Sequence, residues 1–168
     1  MNFTGLTIGI PKEIMARERR VAATPETVKK MVSNGAKVLV EVHAGEESCF
    51  TDEEYRQGGA EIVAAVEDLF SRCDLILKVK EPRFSDRTGK HEIDMMKEGQ
   101  HLITFLHPAS PANHQMVQKL AARKVTGISL DSIPRISRAQ NMDALTATVL
   151  MAVRASMFWA RWPDTKRQ

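Results

Sequence analysis

Short apolar runs alternate along the chain with segments of helical period. Five of the runs predict strands, and they cover Leu6–Ile10, Lys37–Val42, Asp74–Val79, His101–Leu106 and Val125–Leu130. Between the first two, Thr24 supplies an N-cap and Pro25 suits the first position of a helix that Gly35 closes. The pattern therefore alternates strand and helix from the first residues onward.

The remaining helix signals fall in the gaps between the predicted strands. Thr51 and Glu54 form a capping box for a short helix that ends at residues 58–59. Further helices are expected near residues 64–71, 92–97, 111–123 and 140–159, whereas Arg83–His91 has the composition of a loop. Strands separated by helices predict an α/β fold with three layers (αβα) and a mostly parallel open sheet of the Rossmann-like or flavodoxin-like kind.

Charged side chains are expected where the predicted strands end. The first strand is followed by Lys12, Glu13 and the charged run 17–20, and the fourth by His107. Lys78 and Lys80 end the third strand two positions apart, which places them on one side of an extended chain. Because open parallel sheets bind ligands at this edge, the pattern favours an anion site. Two alternatives remain: the charged side chains form an ordinary solvated rim, and His107 is an ordinary loop histidine.

No glycine-rich phosphate motif accompanies these residues. The chain contains neither G-x-G-x-x-G nor G-x-x-x-x-G-K-[ST], and its nine glycines are scattered. The histidines show no metal-ligand spacing, so no metal site is predicted. The predicted sheet thus lacks the usual dinucleotide fingerprint.

Charge is distributed unevenly along the chain. There are 24 basic and 21 acidic residues, and residues 154–168 hold four of the basic residues and one acidic residue, which leaves 20 of each in residues 1–153. The neutral body argues against nucleic-acid binding. Polar residues interrupt the apolar stretch 145–160, so no direct membrane insertion is expected. The N-terminus lacks a secretory pattern and only two cysteines occur, which favours a cytoplasmic protein.

Four segments resemble the N-terminal domain shared by alanine dehydrogenase and the alpha subunit of proton-translocating NAD(P) transhydrogenase. They are residues 8–13 (IGIPKE), 18–25 (ERRVAATP), 40–48 (VEVHAGEES) and 74–82 (DLILKVKEP). Residues 131–145 (DSIPRISRAQNMDAL) resemble the transhydrogenase branch in particular. The likeness runs from residue 6 to about residue 145.

The resemblance implies roles for six residues. In the transhydrogenase branch it assigns contacts with the nicotinamide end of NAD(H) to Arg135, Gln140 and Asp143. In the alanine dehydrogenase branch it assigns binding of the pyruvate carboxylate and carbonyl to Arg20 and Lys80, and a catalytic role to His107. The chain mixes features of both branches, which leaves open whether His107 performs chemistry or only lines the cleft.

The resemblance also divides the chain. Residues 1–145 are expected to form the family domain. Residues 146–168 are expected to form a tail that is helical and then irregular and that does not follow the family sequence, as a shift of the reading frame would produce. The family continues into a Rossmann domain that carries most NAD contacts. The chain is therefore expected to be truncated before that domain, inactive alone, and unable to bind NAD(H) tightly by itself.

Three functions follow as hypotheses. The first is the N-terminal domain of a transhydrogenase alpha subunit, which works with partner transhydrogenase subunits or as a homo-oligomer and lies peripheral to the inner membrane through them. The second is the substrate half of an alanine-dehydrogenase-like oxidoreductase. The third is a non-catalytic binding or assembly module.

Overall fold

Eight strands form two sheets in residues 2–133, the part of the chain that the computed structural model describes. The strands are β1 (Thr7–Ile10), β2 (Lys37–Glu41), β3 (Glu61–Val63), β4 (Leu75–Leu77), β5 (Phe84–Ser85), β6 (Lys90–His91), β7 (His101–Thr104) and β8 (Thr126–Ser129). Six of them form one sheet in the order β3-β2-β1-β4-β7-β8. Every neighbouring pair in that sheet is parallel, which confirms the predicted open parallel sheet.

The five predicted strands are confirmed, and two further features were missed. β3 has only three residues, Glu61–Val63, which is too short to show an alternating pattern. The segment Arg83–His91, predicted to be a loop, instead contains the antiparallel pair of β5 and β6. Strands of two residues carry almost no hydrophobic period, so the turn residues around Gly89 dominated the prediction.

Within residues 2–133 five helices connect the strands, and their local signals explain where they begin. They are α1 (Pro25–Ser33), α2 (Asp52–Gln57), α3 (Val66–Arg72), α4 (Glu92–Met95) and α5 (His114–Ala122). The Thr24 hydroxyl accepts the backbone N–H of Thr27 at 3.3 Å, and Gly35 follows α1 with φ of +96°. The predicted capping box of α2 is also confirmed, because Thr51 and Glu54 exchange side-chain-to-backbone hydrogen bonds.

The sheet is covered on both faces, which makes the fold the predicted three-layer αβα arrangement. On one face α1 and α2 pack against alternate residues of β1 and β2, and this cluster includes Ile8, Ile10, Val28, Val38, Val40 and Tyr55. On the other face α3, α4 and α5 pack against the central strands, with Leu39, Leu69, Phe70, Ile76, Ile93, Leu102 and Leu120. Alternation along each strand thus fills two separate apolar cores.

β1 and α3 approach each other closely at Gly9. A Cβ atom added at Gly9 would lie 2.8 Å from both Cys73 Sγ and Leu69 Cδ2. Both of these side chains are completely buried, so they have little room to move away. A glycine at this position therefore allows α3 to pack against the middle of the sheet.

A short 3-10 turn at Leu130–Ser132 follows β8 and begins a second compact unit of the chain. The helix expected at residues 140–159 and the tail 146–168 lie outside the described residues. Within residues 2–133, no helix combines the length and the hydrophobicity that a bilayer crossing requires.

Candidate functional site

β1 and β4 lie side by side at the centre of the sheet, and the chain leaves them toward opposite edges. Such a switch in winding direction is where open α/β sheets bind ligands, beyond the carboxyl ends of the strands. Residues 11–24 follow β1, and residues 78–82 follow β4. These two loops form the candidate site.

A buried cluster of three charges lies at the base of this site. The Lys78 ammonium is 2.7 Å from Glu92 Oε1 and 3.4 Å from Glu13 Oε2. Burial alone would lower the pKa of Lys78, but the carboxylates of Glu92 and Glu13 raise it above its ordinary value. Burial raises the pKa of Glu13, against the attraction of Lys78. Lys78 therefore holds structural elements together.

The prediction that Lys78 reaches the rim beside Lys80 was wrong. β4 ends at Leu77, and the backbone bends at Val79 and Lys80. The two-residue alternation applies only within a strand, so it does not extend to residue 80. The Lys78 side chain is fully buried, whereas Lys80 is half-buried.

Glu13 also fixes the backbone from which Lys80 projects. Its Oε1 accepts the backbone N–H of Val79 at 2.6 Å, and its Oε2 accepts that of Lys80 at 3.4 Å. The hydroxyl of Thr104, at the end of β7, donates to the Lys80 carbonyl at 2.9 Å. The Lys80 backbone is thereby held from two neighbouring strand ends.

Arg20 is paired with one acidic residue, Glu18, whose carboxylate also feels the charge of Lys80. Arg20 Nε donates to Glu18 Oε1 at 2.7 Å, and Arg20 Nη2 donates to Glu18 Oε2 at 2.6 Å. The hydrogen bond from Arg20 lowers the pKa of Glu18, and the Lys80 charge lowers it further. Of the two predicted anion-binding residues, Arg20 is thus bonded to Glu18, and Lys80 acts on the same carboxylate through its charge.

His107 lies beyond the end of β7 on the same edge of the sheet. Its side chain is exposed, its φ is +45°, and its ring stacks on Phe105 with centroids 6.1 Å apart. Asn113 fixes the preceding turn, because its Nδ2 donates to the Leu106 carbonyl at 3.0 Å. A positive φ at a residue other than glycine is uncommon and requires such support.

Glu81 is a buried carboxylate beside the end of β4 on which the charge of His107 acts. Burial favours the neutral form of Glu81, but the hydrogen bond from Arg83 and the His107 charge together lower its pKa. Glu81 Oε1 accepts from Arg83 Nη2 at 2.6 Å. Its Oε2 is buried without a hydrogen-bond partner in the described part of the chain, so it is still able to accept one.

The antiparallel hairpin of β5 and β6 borders the loop after β1. Arg87 Nη2 donates to the fully buried Glu41 at the end of β2, and Glu41 also accepts the Lys12 backbone N–H at 2.8 Å. An open cavity of about 330 Å³ lies between the hairpin and residues 12–14. The depression beside Glu18 and Arg20 is far smaller, at about 10 Å³.

Three further predicted residues, Arg135, Gln140 and Asp143, lie outside the described residues. The sequence prediction named Glu13 and Glu18 as charged residues after the first strand but did not pair them with Lys78 and Arg20. It missed Glu92, the second partner of Lys78, and Glu81, the partner of Arg83. Glu18 stands beside Arg19 and Arg20 in sequence, and that mixed charge was the available signal. Within residues 2–133 no group of three or more His, Cys, Asp or Glu side chains is placed to hold a metal ion.

The residues after β1 do not fit the pyrophosphate of a dinucleotide. In dinucleotide-binding domains a tight glycine turn joins the first strand directly to the first helix, whose N-terminus binds the phosphates. Here residues 11–24 separate β1 from α1, and they carry Glu13 and Glu18. The fold and the site define a class of domain: doubly wound α/β, with a nucleotide-binding strand order and a charged cluster at its switch point.

Comparison with known proteins identifies the family within this class. The model described as "Alanine dehydrogenase/PNT, N-terminal domain" matches residues 9–152. The chain belongs to this family.

Relatives from both branches of the family are similar to the chain. It is 42% identical over 152 residues to the alanine dehydrogenase of Methanococcus maripaludis, covering 90% of this chain and 38% of that protein. It is 38% identical over 142 residues to NAD(P) transhydrogenase subunit alpha of Haemophilus influenzae, covering 84% and 26%.

Solved structures give the same result. A transhydrogenase from Sinorhizobium meliloti superposes with a TM-score of 0.72 at 35% identity, covering 83% of this chain and 39% of that one. An L-alanine dehydrogenase superposes with a TM-score of 0.68 at 35% identity, covering 76% and 33%. The chain therefore spans less than two fifths of the length of any of these four proteins.

Proposed function

We propose that the chain is the N-terminal domain of an NAD(P) transhydrogenase alpha subunit, in which the complete unit transfers a hydride between NADH and NADP. The sequence of residues 131–145 supports this branch of the family. Similarity to the H. influenzae and S. meliloti transhydrogenases is consistent with it. In this proposal the domain is inactive alone and works with a nucleotide-binding domain.

The structure of the loop after β1 carries this proposal. Residues 11–24 replace a phosphate-binding turn, and the depression beside Arg20 has only about 10 Å³. Pockets that enclose small ligands have volumes of roughly 300–1,000 Å³. The larger cavity of about 330 Å³ lies beside residues 12–14 and the hairpin, and Arg20 does not line it. At Arg20 the described residues therefore offer one charged wall, and in this proposal a second domain supplies the opposite wall and the dinucleotide contacts.

Each predicted residue has a place in this proposal. Arg20 and Lys80 present positive charge at the wall, with His107 on the same edge of the sheet. Arg135, Gln140 and Asp143 are proposed to reach the nicotinamide end of NAD(H), which the other domain holds. Partner transhydrogenase subunits or a second copy of the chain complete the assembly, which is proposed to lie on the cytoplasmic side of the inner membrane.

Calorimetric titration of the chain with NADH tests whether the dinucleotide needs the second domain in order to bind. We expect no binding in the micromolar range, because a dinucleotide gains most of its contacts from the absent glycine turn. The chain is then mixed with the nucleotide-binding domain of the H. influenzae relative, and binding is measured again. Micromolar affinity of the chain alone would contradict the proposal.

Alanine dehydrogenase is the second candidate, and the positions of Arg20 and Lys80 in the loops after β1 and β4 favour it. A guanidinium and an ammonium group at one edge of the sheet suit the carboxylate and carbonyl of a 2-oxo acid. The reconstituted pair distinguishes the two candidates by its reaction. Hydride exchange between NADH and an NADP analogue supports the transhydrogenase, whereas NADH oxidation that requires pyruvate and ammonia supports alanine dehydrogenase.

A further inference from the structure

The open cavity of about 330 Å³ beside the hairpin is separate from the wall at Arg20 and Lys80. Residues 12–14 line it on one side and residues 84–87 on the other, whereas Arg20 and Lys80 do not line it. Its volume is at the lower end of the range for small-molecule pockets, roughly 300–1,000 Å³. The cavity therefore suits a molecule much smaller than a dinucleotide.

Four charged side chains line the cavity, and two of them already have partners. The four are Lys12, Glu13, Asp86 and Arg87. Glu13 lies 3.4 Å from the buried Lys78 ammonium. Arg87 donates to the buried Glu41. The Lys12 ammonium and the Asp86 carboxylate pair with no other group of residues 2–133, so one free positive charge and one free negative charge line the same cavity.

Lys12 also lines the smaller depression beside Arg20, but its ammonium has no partner there. Glu18 in that depression pairs with Arg20 at 2.6 Å. Glu47 pairs with Arg19 at 3.7 Å. The Lys12 charge is therefore not compensated from that side either.

Glu41 holds both sides of the cavity in place. This fully buried carboxylate accepts the Lys12 backbone N–H at 2.8 Å and also accepts from Arg87 Nη2 in the hairpin. A backbone hydrogen bond of 2.9 Å between residues 85 and 89 closes the turn that carries Asp86. The two free charges thus lie on segments anchored to one group, which lowers the ordering cost of binding a ligand between them.

An exposed aromatic ring adds an apolar side to the cavity. Phe84 is 58% exposed, although it is a large hydrophobic residue, and Ile14 lines the cavity from the opposite segment. A ligand that covers Phe84 removes apolar surface from water, which is favourable. The lining therefore combines one cation, one anion and an apolar contact.

We propose that this cavity binds a free amino acid with an apolar side chain, whose carboxylate pairs with Lys12, whose ammonium pairs with Asp86 and whose side chain packs on Phe84. A simple anion would be repelled by Asp86, and a simple cation would be repelled by Lys12. A molecule that carries both charges satisfies both groups. The site goes beyond the function proposed above and does not depend on it.

Nuclear magnetic resonance of the full chain tests the class of ligand. The probes are leucine, isocaproate, which is leucine without its amino group, and isoamylamine, which is leucine without its carboxylate. Dissociation constants are taken from shifts of the Ile14 and Asp86 backbone amides, and the Lys80 amide reports binding at the separate wall. Leucine should bind in the millimolar range and about threefold to fivefold more tightly than either analogue, the scale of one partly exposed charge pair.

Two variants assign the charges to the two ends of the ligand. Lys12→Gln should make leucine bind no better than isoamylamine, because the carboxylate then has no cation to pair with. Asp86→Asn should make leucine bind no better than isocaproate, because the ammonium then has no anion. Lys90→Gln is the matched control, since Lys90 is exposed on the same hairpin but does not line the cavity, and it should behave as the original chain.

Alanine tests the apolar contact. Its methyl group is too short to cover Phe84, so alanine should bind more weakly than leucine. Phe84→Ser should reduce that difference, because it removes the ring on which the leucine side chain packs. Melting temperatures confirm that each variant is folded.

Three results would overturn the proposal. If millimolar leucine shifts neither the Ile14 nor the Asp86 amide, or shifts the Lys80 amide alone, the cavity holds no amino acid. If both analogues bind as tightly as leucine, the cavity does not recognise the pair of charges. If the Lys12 and Asp86 variants keep the original affinities, other groups bind the ligand. The NADH titration decides the proposed function separately in each case.

Discussion

Lys78 shows how strongly a single residue can depend on its partners. Its ammonium pairs with two buried carboxylates from two different segments, Glu13 in the loop after β1 and Glu92 at the start of α4. Isolated charges of this kind are costly to bury, and removal of one partner leaves the others uncompensated. The consequence for stability is therefore set by the whole cluster.

Replacement of Lys78 by methionine should lower the free energy of unfolding by about 3–5 kcal/mol, the range seen when a buried ion pair loses one partner. Urea denaturation measures the change. Lys97→Met is the matched control, because Lys97 forms an exposed pair with Asp74 at 3.3 Å, and its loss should cost less than about 1 kcal/mol. Equal effects of the two variants would show that the cluster is not an interacting unit.

At this scale the sequence predicted the cations but not their environment. Arg20 and Lys80 were placed at the strand edge from their types and positions, and the structure shows that Arg20 is paired with Glu18 and that Lys80 lowers the pKa of the same carboxyl. The burial of Lys78 could not be predicted, because it depends on β4 ending at Leu77 and on Glu92 packing from α4. Both features arise from tertiary packing, which the local sequence does not encode.

Contacts between elements are set by the size of the residues at the closest approach. β1 and α3 meet at Gly9, where an added methyl group would lie 2.8 Å from Cys73 Sγ. Gly9→Ala should therefore lower the free energy of unfolding by about 1–3 kcal/mol through overpacking. Denaturation of Gly9→Ala, Cys73→Ala and the double variant measures it.

The double variant provides the control for this prediction. Cys73→Ala removes one of the two atoms that Gly9→Ala would strike, so the paired loss should be smaller than the sum of the single losses by at least about 0.5 kcal/mol. Strict additivity would mean that the destabilisation arises elsewhere, for instance at Leu69.

Asp74 connects the start of β4 to β1 and to Lys97, in the segment between α4 and β7. Its Oδ2 accepts the Thr7 backbone N–H at 3.0 Å, and its Oδ1 lies 3.3 Å from Lys97 Nζ. The hydrogen bond from Thr7 lowers the pKa of Asp74 below its ordinary value of 3.8. Its contribution to stability is therefore present above pH 3.8 and is lost as the pH falls through the lower folded-state pKa.

Asp74→Asn keeps a carbonyl oxygen for Thr7 but removes the titration. We expect the variant to melt below the original chain at pH 7, and the gap to narrow as the pH falls below the ordinary value of 3.8. Thermal melting at a series of pH values measures the gap. A gap that stays constant into the acid range would contradict the assignment.

Strand positions were predictable because short, nearly continuous apolar runs between helix signals indicate buried strands, as β2 and β7 illustrate. β3 and the hairpin of β5 and β6 were not predicted, because strands of two or three residues are too short to show a hydrophobic pattern. The order of the strands was also beyond prediction, since the same sequence of elements is compatible with several doubly wound topologies.

Arg87 connects parts of the molecule that are distant in sequence. It reaches from the hairpin of β5 and β6 to Glu41 at the end of β2, and Glu41 also holds the backbone of Lys12. Because Glu41 is fully buried, removal of Arg87 leaves a carboxylate oxygen without its charged donor. The loop after β1 and the hairpin should therefore loosen together.

Arg87→Ala should lower the free energy of unfolding by about 1–3 kcal/mol, the cost of a buried group that loses its partner. Faster hydrogen exchange of the Lys12 amide should accompany the loss. Lys90→Ala is the control, since Lys90 is exposed on the same hairpin and should change neither measurement. An unchanged Lys12 exchange rate in Arg87→Ala would show that the two segments are independent.

The burial of Lys78 has a consequence for chemical labelling. Amine reagents such as formaldehyde with a reductant modify lysines that solvent reaches, so Lys80 should react in the folded protein and Lys78 should not. Mass spectrometry of the peptide that contains both lysines would then show one modification in the native state and two after denaturation. Two residues apart in sequence, these lysines form an internal reporter of whether the carboxyl edge of the sheet is intact.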